Sequence, residues 1–225
     1  MYKEWGEDEM NSMSIALDGP AGAGKSTIAK KISEIKNITY IDTGAMYRAI
    51  ALKVLKENID LENQDHIEKM LLSTKIDIKG NDIFLDGQMV TDEIRNPNVN
   101  KMVSHVAKIL AVREKMTYLQ REIASCKDVV MDGRDIGTFV LPNATYKFYL
   151  TASIEERAER RYIELKEKGF EVTLEQIKDE IQERDKMDME REIAPLKKAQ
   201  DAIEIDTTGK GIEQVIHEIL KYLKE

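Results

Sequence analysis

This 225-residue chain is predicted to adopt an α/β fold with a five-stranded parallel sheet and helices on both faces. Five short apolar segments alternate with segments of helical periodicity, which is typical of parallel strands joined by crossover helices. The first apolar segment runs directly into a glycine-rich turn and then into a helix. The length is sufficient for one such domain with a small insertion.

Local signals support each strand and helix. Apolar runs mark the five strands, at residues 14–17, 38–41, 128–132, 146–150 and 202–205. Helical periodicity marks residues 25–35, 43–57, 63–73, 99–124 (broken near 110–113), 154–168, 174–189 and 212–224. Ser153 and Thr173 are expected N-caps, and Gly169 is expected to end the helix before it. Between residues 75 and 90, alternating apolar residues and two turn signals predict a small antiparallel β insertion.

The glycine-rich turn runs from Gly19 to Gly24, Lys25 and Ser26, which is the pattern G-x-x-x-x-G-K-S of a phosphate-binding loop. In such a loop, backbone N–H groups and the helix dipole face the phosphates. Lys25 is expected to reach the β- and γ-phosphates, and Ser26 to bind Mg²⁺. The flanking strand and helix favour a nucleoside triphosphate site, and so a P-loop NTPase fold, over an ordinary turn with an exposed lysine. The expected nucleotide contacts in this loop are Gly19, Pro20, Ala21, Gly22, Ala23, Gly24, Lys25, Ser26 and Thr27.

The third predicted strand ends in Asp132. The carboxyl ends of parallel strands meet at one edge of a sheet, so this carboxylate is expected beside Mg²⁺, held through water. The alternative is that Asp132 only caps the next turn, because Gly133 follows it.

Composition restricts the partners and the compartment. The net charge of −8 argues against a general nucleic-acid binder. No apolar run approaches the length of a membrane span, so no membrane partner is expected. The single cysteine, Cys126, which we expect to be half-buried on a helix, excludes an internal disulfide and fits a reducing, cytoplasmic location. Residues 1–12 are polar and acidic, and are interpreted as a disordered extension or as an upstream start before Met13.

The arginines favour a phosphotransferase over a switch or a motor. A GTPase switch needs an N-K-x-D stretch, which the sequence lacks, and motor ATPases are usually larger. Two groups of arginines could instead surround a second phosphate: Arg48, Arg113 and Arg134, and Arg157, Arg160, Arg161, Arg184 and Arg191. The alternative for residues 157–161 is pairing with the glutamates of the same helix.

Four motifs in the sequence together resemble those of one known family. They are D-G-P-A-G-A-G-K-S-T from Asp18, D-T-G-A-M-Y-R from Asp42, D-G-R-D-I-G-T from Asp132, and E-R-D from Glu183 with Asp188, Arg191 and A-P-L from Ala194. With them, nearly everything from Met13 onward resembles the bacterial cytidylate kinases of the nucleoside monophosphate kinase family. Two positions depart from the family pattern. Thr43 stands where many members have serine, which keeps the hydroxyl. Lys186 and Met187 stand where a pair often includes arginine, so one cation of the family's helical lid is not assigned here.

The resemblance implies transfer of the γ-phosphate of ATP to CMP or dCMP by a cytoplasmic monomer, with Mg²⁺ bound to the ATP. It implies catalytic roles for Lys25, Asp132, Arg134 and Arg191. Arg157 and Arg161 resemble lid arginines that cover ATP. The implied CMP-binding residues are Arg48, Arg134 and Arg191 on the phosphate, Thr43 close by, Arg184 and Asp188 on the sugar, and Ser104, Arg113 and Asp135 on the base.

Some alternatives remain open. Ser104 could be a solvent-facing helix serine, Arg113 a solvated helix residue, and Asp135 a partner of Arg134 or a cap. The chain could also be a P-loop kinase for another monophosphate, such as UMP or AMP, or for another small molecule, or a nucleotide-dependent binding or switch protein. By resemblance, residues 13–225 form one kinase domain, with a core at about 13–62, 99–153 and 190–225, a monophosphate-binding insertion at 63–98 and a helical lid at 154–189.

Overall fold

The structure is a computed structural model that describes residues 12–224, so residues 1–11 of the extension predicted at residues 1–12 lie outside the described residues. Within the described residues, eight strands and eight α-helices follow one another. In order they are β1 (Ser14–Asp18), α1 (Lys25–Lys36), β2 (Thr39–Asp42), α2 (Thr43–Glu57), α3 (Gln64–Ser73), β3 (Ile76–Lys79), β4 (Asp82–Leu85), β5 (Gln88–Met89), α4 (Pro97–Val106), α5 (Leu110–Cys126), β6 (Val129–Asp132), β7 (Tyr146–Thr151), α6 (Ile154–Glu167), α7 (Leu174–Met189), β8 (Ile203–Asp206) and α8 (Ile212–Leu220).

Five strands form the main sheet in the order β2-β6-β1-β7-β8. β1 lies at the centre and pairs in parallel with β6 and β7, with Leu17 opposite Asp132 and Asp18 opposite Tyr149. The carboxyl ends of β1 and β6 therefore lie side by side, which is where α/β sheets bind their ligands. The predicted five-stranded parallel sheet with helices is confirmed.

The chain divides into two compact units. The larger unit contains residues 12–41 and 124–224, and the smaller unit is Asp42–Ile123. The core of the larger unit forms where α1 and α8 pack their apolar faces against the sheet, and it includes Leu17, Ile32, Phe148 and Ile216. Burial of such side chains is the main stabilising contribution to a fold of this kind.

The smaller unit contains α2 to α4, most of α5, and a three-stranded antiparallel sheet in the order β3-β4-β5. This sheet is the predicted β insertion, and its apolar face buries Ile83 and Leu85. A buried lysine holds the insertion, because Lys53 of α2 donates to Asp86 at 2.6 Å. Within residues 12–224, no helix is both long enough and apolar enough to cross a membrane.

Several local expectations differ from the structure. The break between α4 and α5 falls at residues 107–109, before the predicted position. α8 ends at Leu220, because the chain tightens into short-range hydrogen bonds that leave Leu223 buried. A π-helical turn at Ile136–Val140 and a 3-10 turn at Glu93–Arg95 were not expected. The half-buried position predicted for Cys126 is wrong, because it is the last residue of α5 and is exposed.

Candidate active site

The phosphate-binding loop leaves β1 in a conformation that requires glycine. Gly19 has a φ of +144°, and an added Cβ would lie 2.0 Å from the carbonyl oxygen of Leu150 on β7. Gly22 has a φ of +77°, and its added Cβ would meet the Cβ of Arg157 on α6 at 3.0 Å. The loop is therefore packed closely between β7 and α6, at two positions where no other residue type fits without displacement.

Lys25 is buried beneath this loop rather than exposed. It is the first residue of α1, and its Nζ donates to the carbonyl oxygen of Pro20 at 2.6 Å. Only 5% of the residue is exposed, so the alternative of an ordinary turn with an exposed lysine is wrong. Burial lowers the pKa of Lys25 well below its ordinary value, and the charge of Arg134 lowers it further. A bound polyanion would favour the charged form of this amine.

A chain of hydrogen bonds links the loop to the two neighbouring strands. The Ser26 hydroxyl donates to Asp132 Oδ2 at 2.8 Å, and the Tyr40 hydroxyl donates to Asp132 Oδ1 at 2.8 Å. The backbone N–H of Gly133 donates to the carbonyl oxygen of Leu17 at 3.0 Å, so this N–H is not bound by the Asp132 side chain. The expected neighbours Ser26 and Asp132 are therefore in contact, and Tyr40 is a member of the group that the sequence did not indicate.

Three arginines surround one buried carboxylate next to the loop. Arg134 Nε donates to Asp188 Oδ2 at 2.9 Å, and Arg191 Nη1 lies 4.0 Å from Asp188 Oδ1. Burial alone would raise the pKa of Asp188, but the charges of Arg134, Arg184 and Arg191 outweigh it and hold that pKa below its usual value. Other carboxylates lie near these arginines too, because the charges of Asp132 and Asp185 also act on Arg134. Three guanidinium groups in one place still supply the forked donors that bind phosphate oxygens.

Asp135 and Arg191 come close in the same unit. Arg191 Nη2 lies 3.8 Å from Asp135 Oδ1 and donates to the carbonyl oxygen of Ala194 at 3.0 Å. Ala194 has a φ of +49°, and this tight turn follows directly after the end of α7. Asp135 is 5% exposed, so its carboxylate is held in a buried position.

Arg157 is anchored to the phosphate loop. Its Nη1 donates to the carbonyl oxygen of Ala21 at 2.9 Å and forms a buried ion pair with Asp185 of α7. Asp185 Oδ1 in turn accepts the N–H of Ala21 at 2.9 Å. Arg157 thus contacts the loop that is expected to hold ATP, whereas Arg161 pairs with Glu164 at 2.7 Å. Asp185 lies in the E-R-D motif, but its pairing with Arg157 was not predicted, because a contact across 28 residues is set by tertiary structure.

The helices α6 and α7 occupy residues 154–189, the segment for which a lid is predicted. They share an apolar cluster of their own, made of Ala158, Leu165, Ile177 and Ile181 together with Ala21 of the phosphate loop.

The smaller unit carries the other expected site residues on three helices. Asp42 caps α2 by accepting the N–H of Ala45 at 2.8 Å, and Arg48 donates to the same carboxylate at 2.9 Å. Thr43, at the start of α2, and Ser104, on α4, are each 3% exposed. The solvent-facing alternative for Ser104 is therefore wrong.

Arg113 is fully buried on α5, so the solvated alternative for this residue is wrong as well. Its guanidinium lies 5.8 Å from the ring centroid of Tyr47, within the range of a cation–π contact. A buried arginine is costly unless its donors are used, which favours a function over a surface role.

Comparison with known proteins gives the family. The profile of the family described as "Cytidylate kinase" matches residues 15–225. The chain is 57% identical over 215 residues to a cytidylate kinase of Alkaliphilus oremlandii, covering 96% of this chain and 99% of that protein. It is 52% identical to a cytidylate kinase of Clostridioides difficile, covering 94% of this chain and 98% of the relative.

A solved structure agrees in fold. It is an uncharacterized protein from Eubacterium ventriosum, with a TM-score of 0.53, 14% identity, and coverage of 94% of this chain and 98% of that one. At this identity the likeness concerns the fold alone. The family, by contrast, follows from the profile match and from relatives that align over almost their whole length, and the chain belongs to the cytidylate kinase family.

Proposed function

We propose that this protein transfers the γ-phosphate of ATP to CMP or dCMP, forming ADP and CDP or dCDP. The observation that supports this most directly is a second group of cations beside the phosphate loop. Asp188 is surrounded by Arg134, Arg184 and Arg191. The charges of Arg134 and Arg184 also lower the pKa of Lys25. A protein that only binds or hydrolyses a triphosphate has no need for a second set of forked phosphate donors.

The chemistry assigned to the protein is positioning and charge neutralisation. Phosphoryl transfer between two nucleotides requires their phosphates in line and needs no covalent protein intermediate. Lys25 and the loop N–H groups would hold the triphosphate, and Arg134 and Arg191 would hold the acceptor phosphate. Packing of α6 and α7 against the loop would help to exclude water, which would otherwise hydrolyse ATP.

The remaining roles are assigned by family resemblance. Arg157 and Arg161 would act on the ATP side. On the CMP side, Arg48 would bind the phosphate with Thr43 close by, Arg184 and Asp188 would bind the sugar, and Ser104, Arg113 and Asp135 would contact the base. The net charge of −8 and the single cysteine support a cytoplasmic protein without a nucleic-acid partner, and we propose that it acts as a monomer without a membrane partner.

P-loop kinases generally use their nucleotide with a divalent metal. The residues here fit Mg²⁺, because the Ser26 hydroxyl and the Asp132 carboxylate are hard oxygen donors that already lie together. Within residues 12–224, no group of three or more His, Cys, Asp or Glu side chains could hold a metal ion by itself. We therefore assign Ser26 as a direct ligand and Asp132 as a ligand through water, with the nucleotide phosphates supplying other oxygens. The ion would neutralise phosphate charge during transfer.

The test is an ADP-release assay with a panel of acceptors. The purified protein is given ATP, MgCl₂ and CMP, dCMP, UMP, AMP or no acceptor, and the nucleotide products are identified by chromatography. We expect CMP and dCMP to be converted with the highest kcat/KM. Preference for UMP or AMP would instead indicate another monophosphate kinase. ADP release that is independent of every acceptor would indicate a nucleotide-dependent switch.

A further inference from the structure

Asp18 is a buried carboxylate whose two oxygens both hold backbone groups of another segment. It is the last residue of β1, directly before the phosphate loop, and is 4% exposed. Its Oδ1 accepts the N–H of Ile136 at 2.8 Å, and its Oδ2 accepts the N–H of Gly137 at 2.7 Å. One side chain therefore joins the end of the central strand to a turn more than one hundred residues away in sequence.

The turn that Asp18 holds carries residues assigned to the acceptor nucleotide. Arg134 and Asp135 lie directly before Ile136 and Gly137. The other end of this turn is held as well, because the N–H of Gly133 donates to the carbonyl oxygen of Leu17 at 3.0 Å. The segment 133–137 is thus fastened at both ends to the last two residues of β1.

A carboxylate suits this position in a way that its nearest isostere does not. Each oxygen accepts one N–H, and an asparagine would point its own NH₂ group at one of the two donors. The arrangement is also costly, because burial raises the pKa of Asp18 to about 7 in spite of both hydrogen bonds. The charge of Asp135, in the turn, raises the pKa of Asp18 further, and the charge of Lys25, on α1, lowers it. Tyr149 of β7 also lies near this carboxylate, whose charge raises the pKa of the tyrosine.

We propose that Asp18 is a positioning residue that sets the place of Arg134 and Asp135 relative to the phosphate loop. The inference rests on the proposed function, since it assigns the loop to the donor and the turn to the acceptor. In-line transfer requires the donor and acceptor phosphates at one fixed separation, and a misplacement of about 1 Å can cost on the order of 100-fold in rate. Asp18 links these two parts directly through its side chain, in addition to the backbone hydrogen bond from Gly133 to Leu17.

The test compares Asp18→Asn with Ser14→Ala. Ser14 lies at the other end of β1, is 3% exposed, and its hydroxyl accepts the N–H of Thr145 at 3.3 Å. Asp18→Asn is expected to raise the KM for CMP and to lower kcat, each by about 10-fold or more, with the KM for ATP within about twofold of wild type. Ser14→Ala is expected to lower the melting temperature with both KM values unchanged. If Asp18→Asn shows the pattern of Ser14→Ala, or raises both KM values equally, the positioning role is wrong.

A measurement on the wild-type protein covers the case in which Asp18→Asn does not fold. The backbone amide protons of Ile136 and Gly137 are followed by NMR from pH 5 to pH 9. Because both donate to one carboxylate, their chemical shifts are expected to move together, with a single midpoint. Independent or absent shifts would overturn the proposal. Failure of the proposed function would look different, because the wild-type protein itself would then not phosphorylate CMP.

Discussion

Arg157 and Asp185 form a buried ion pair that holds both backbone polar groups of Ala21 in the phosphate loop. The arginine approaches from α6 and the aspartate from α7, so the two helices of the predicted lid share one attachment to the loop. This relationship suggests that the conformation of the loop depends on the helical pair that packs against it.

The first prediction concerns this pair. Asp185→Asn keeps an acceptor for the N–H of Ala21 but leaves the buried Arg157 without its counter-charge. Breaking a buried pair in this way costs about 3–5 kcal/mol, so the melting temperature should fall by on the order of 10 °C. The KM for ATP should rise by about tenfold because the loop is less well ordered. Thermal unfolding and steady-state kinetics measure both effects.

The control is Lys178→Met, which removes an exposed ion pair with Glu155 between the same two helices. Water screens an exposed pair and the two side chains lose entropy in forming it, so this variant should match wild type in melting temperature and in the KM for ATP. A normal KM for ATP in Asp185→Asn would show that the loop does not need the pair.

The second prediction is that Lys25→Met lowers kcat by on the order of 100-fold or more, since the variant lacks the cation that is assigned to the transferring phosphate. Methionine is used because Lys25 is buried and alanine would leave a cavity. The ADP-release assay measures kcat, and circular dichroism checks the fold.

Lys53→Met is the matched control, because Lys53 is equally buried but pairs with Asp86 in the smaller unit. It should lose stability and keep its kcat. A Lys25→Met enzyme with wild-type turnover would refute the assignment of the phosphate loop.

The third prediction separates the donor and acceptor sides. Arg134→Ala and Arg191→Ala should each raise the KM for CMP by about tenfold or more, because charge-assisted bonds to phosphate contribute more than neutral ones. The affinity for ATP, measured by calorimetry, should change little. If either variant loses ATP affinity while its KM for CMP is unchanged, that arginine belongs to the donor side.

The fourth prediction addresses the choice of base. Cytosine offers an amino donor at N4 and acceptors at N3 and O2, which match a carboxylate and a guanidinium, and uracil reverses two of these groups. Each mismatch costs about 1–3 kcal/mol, so discrimination on the order of 100-fold is expected. The CMP-to-UMP ratio of kcat/KM should therefore fall in both Asp135→Ala and Arg113→Met, mainly through loss on CMP.

Arg121→Met on the same helix as Arg113 is the control, and it should leave this ratio unchanged. If Asp135→Ala and Arg113→Met lower kcat/KM for CMP and for UMP by the same factor, these residues shape the site without recognising the base.

The fifth prediction concerns the pH dependence of stability. The pKa of Asp18 is raised in the folded protein from 3.8 to about 7, so the folded state binds one more proton than the unfolded state between these values. The contribution of Asp18 to the free energy of unfolding is therefore greatest at low pH and is lost as the pH rises to about 7. Urea unfolding at pH 5, 6, 7 and 8 gives the free energy of unfolding of both proteins. The value for wild type minus the value for Asp18→Asn should decrease as the pH rises and become constant above about pH 7. A difference that does not vary with pH would contradict the raised pKa.

Sequence reasoning recovered the fold because strand and helix patterns, caps and the phosphate-loop motif are local signals. It also placed Ser26 beside Asp132, since the ends of neighbouring parallel strands meet at one sheet edge. It did not recover the burial of Lys25, which depends on what packs over the loop. Nor did it find Asp18 as a link to the turn after β6, because that contact forms only when β1 and β6 are paired.

The apolar cluster shared by α6 and α7 has a practical consequence. Because this cluster contains only residues of the two helices and Ala21, an exposed position in the connection between the helices can carry an attached group with little effect on the main core. Glu171 is exposed in that connection, so a fluorophore on Glu171→Cys would report on the environment of the helical pair in real time. Cys126 is exposed and would react with the same reagent, so it must first be replaced by serine. The labelled protein would then serve as an optical sensor for its own substrates.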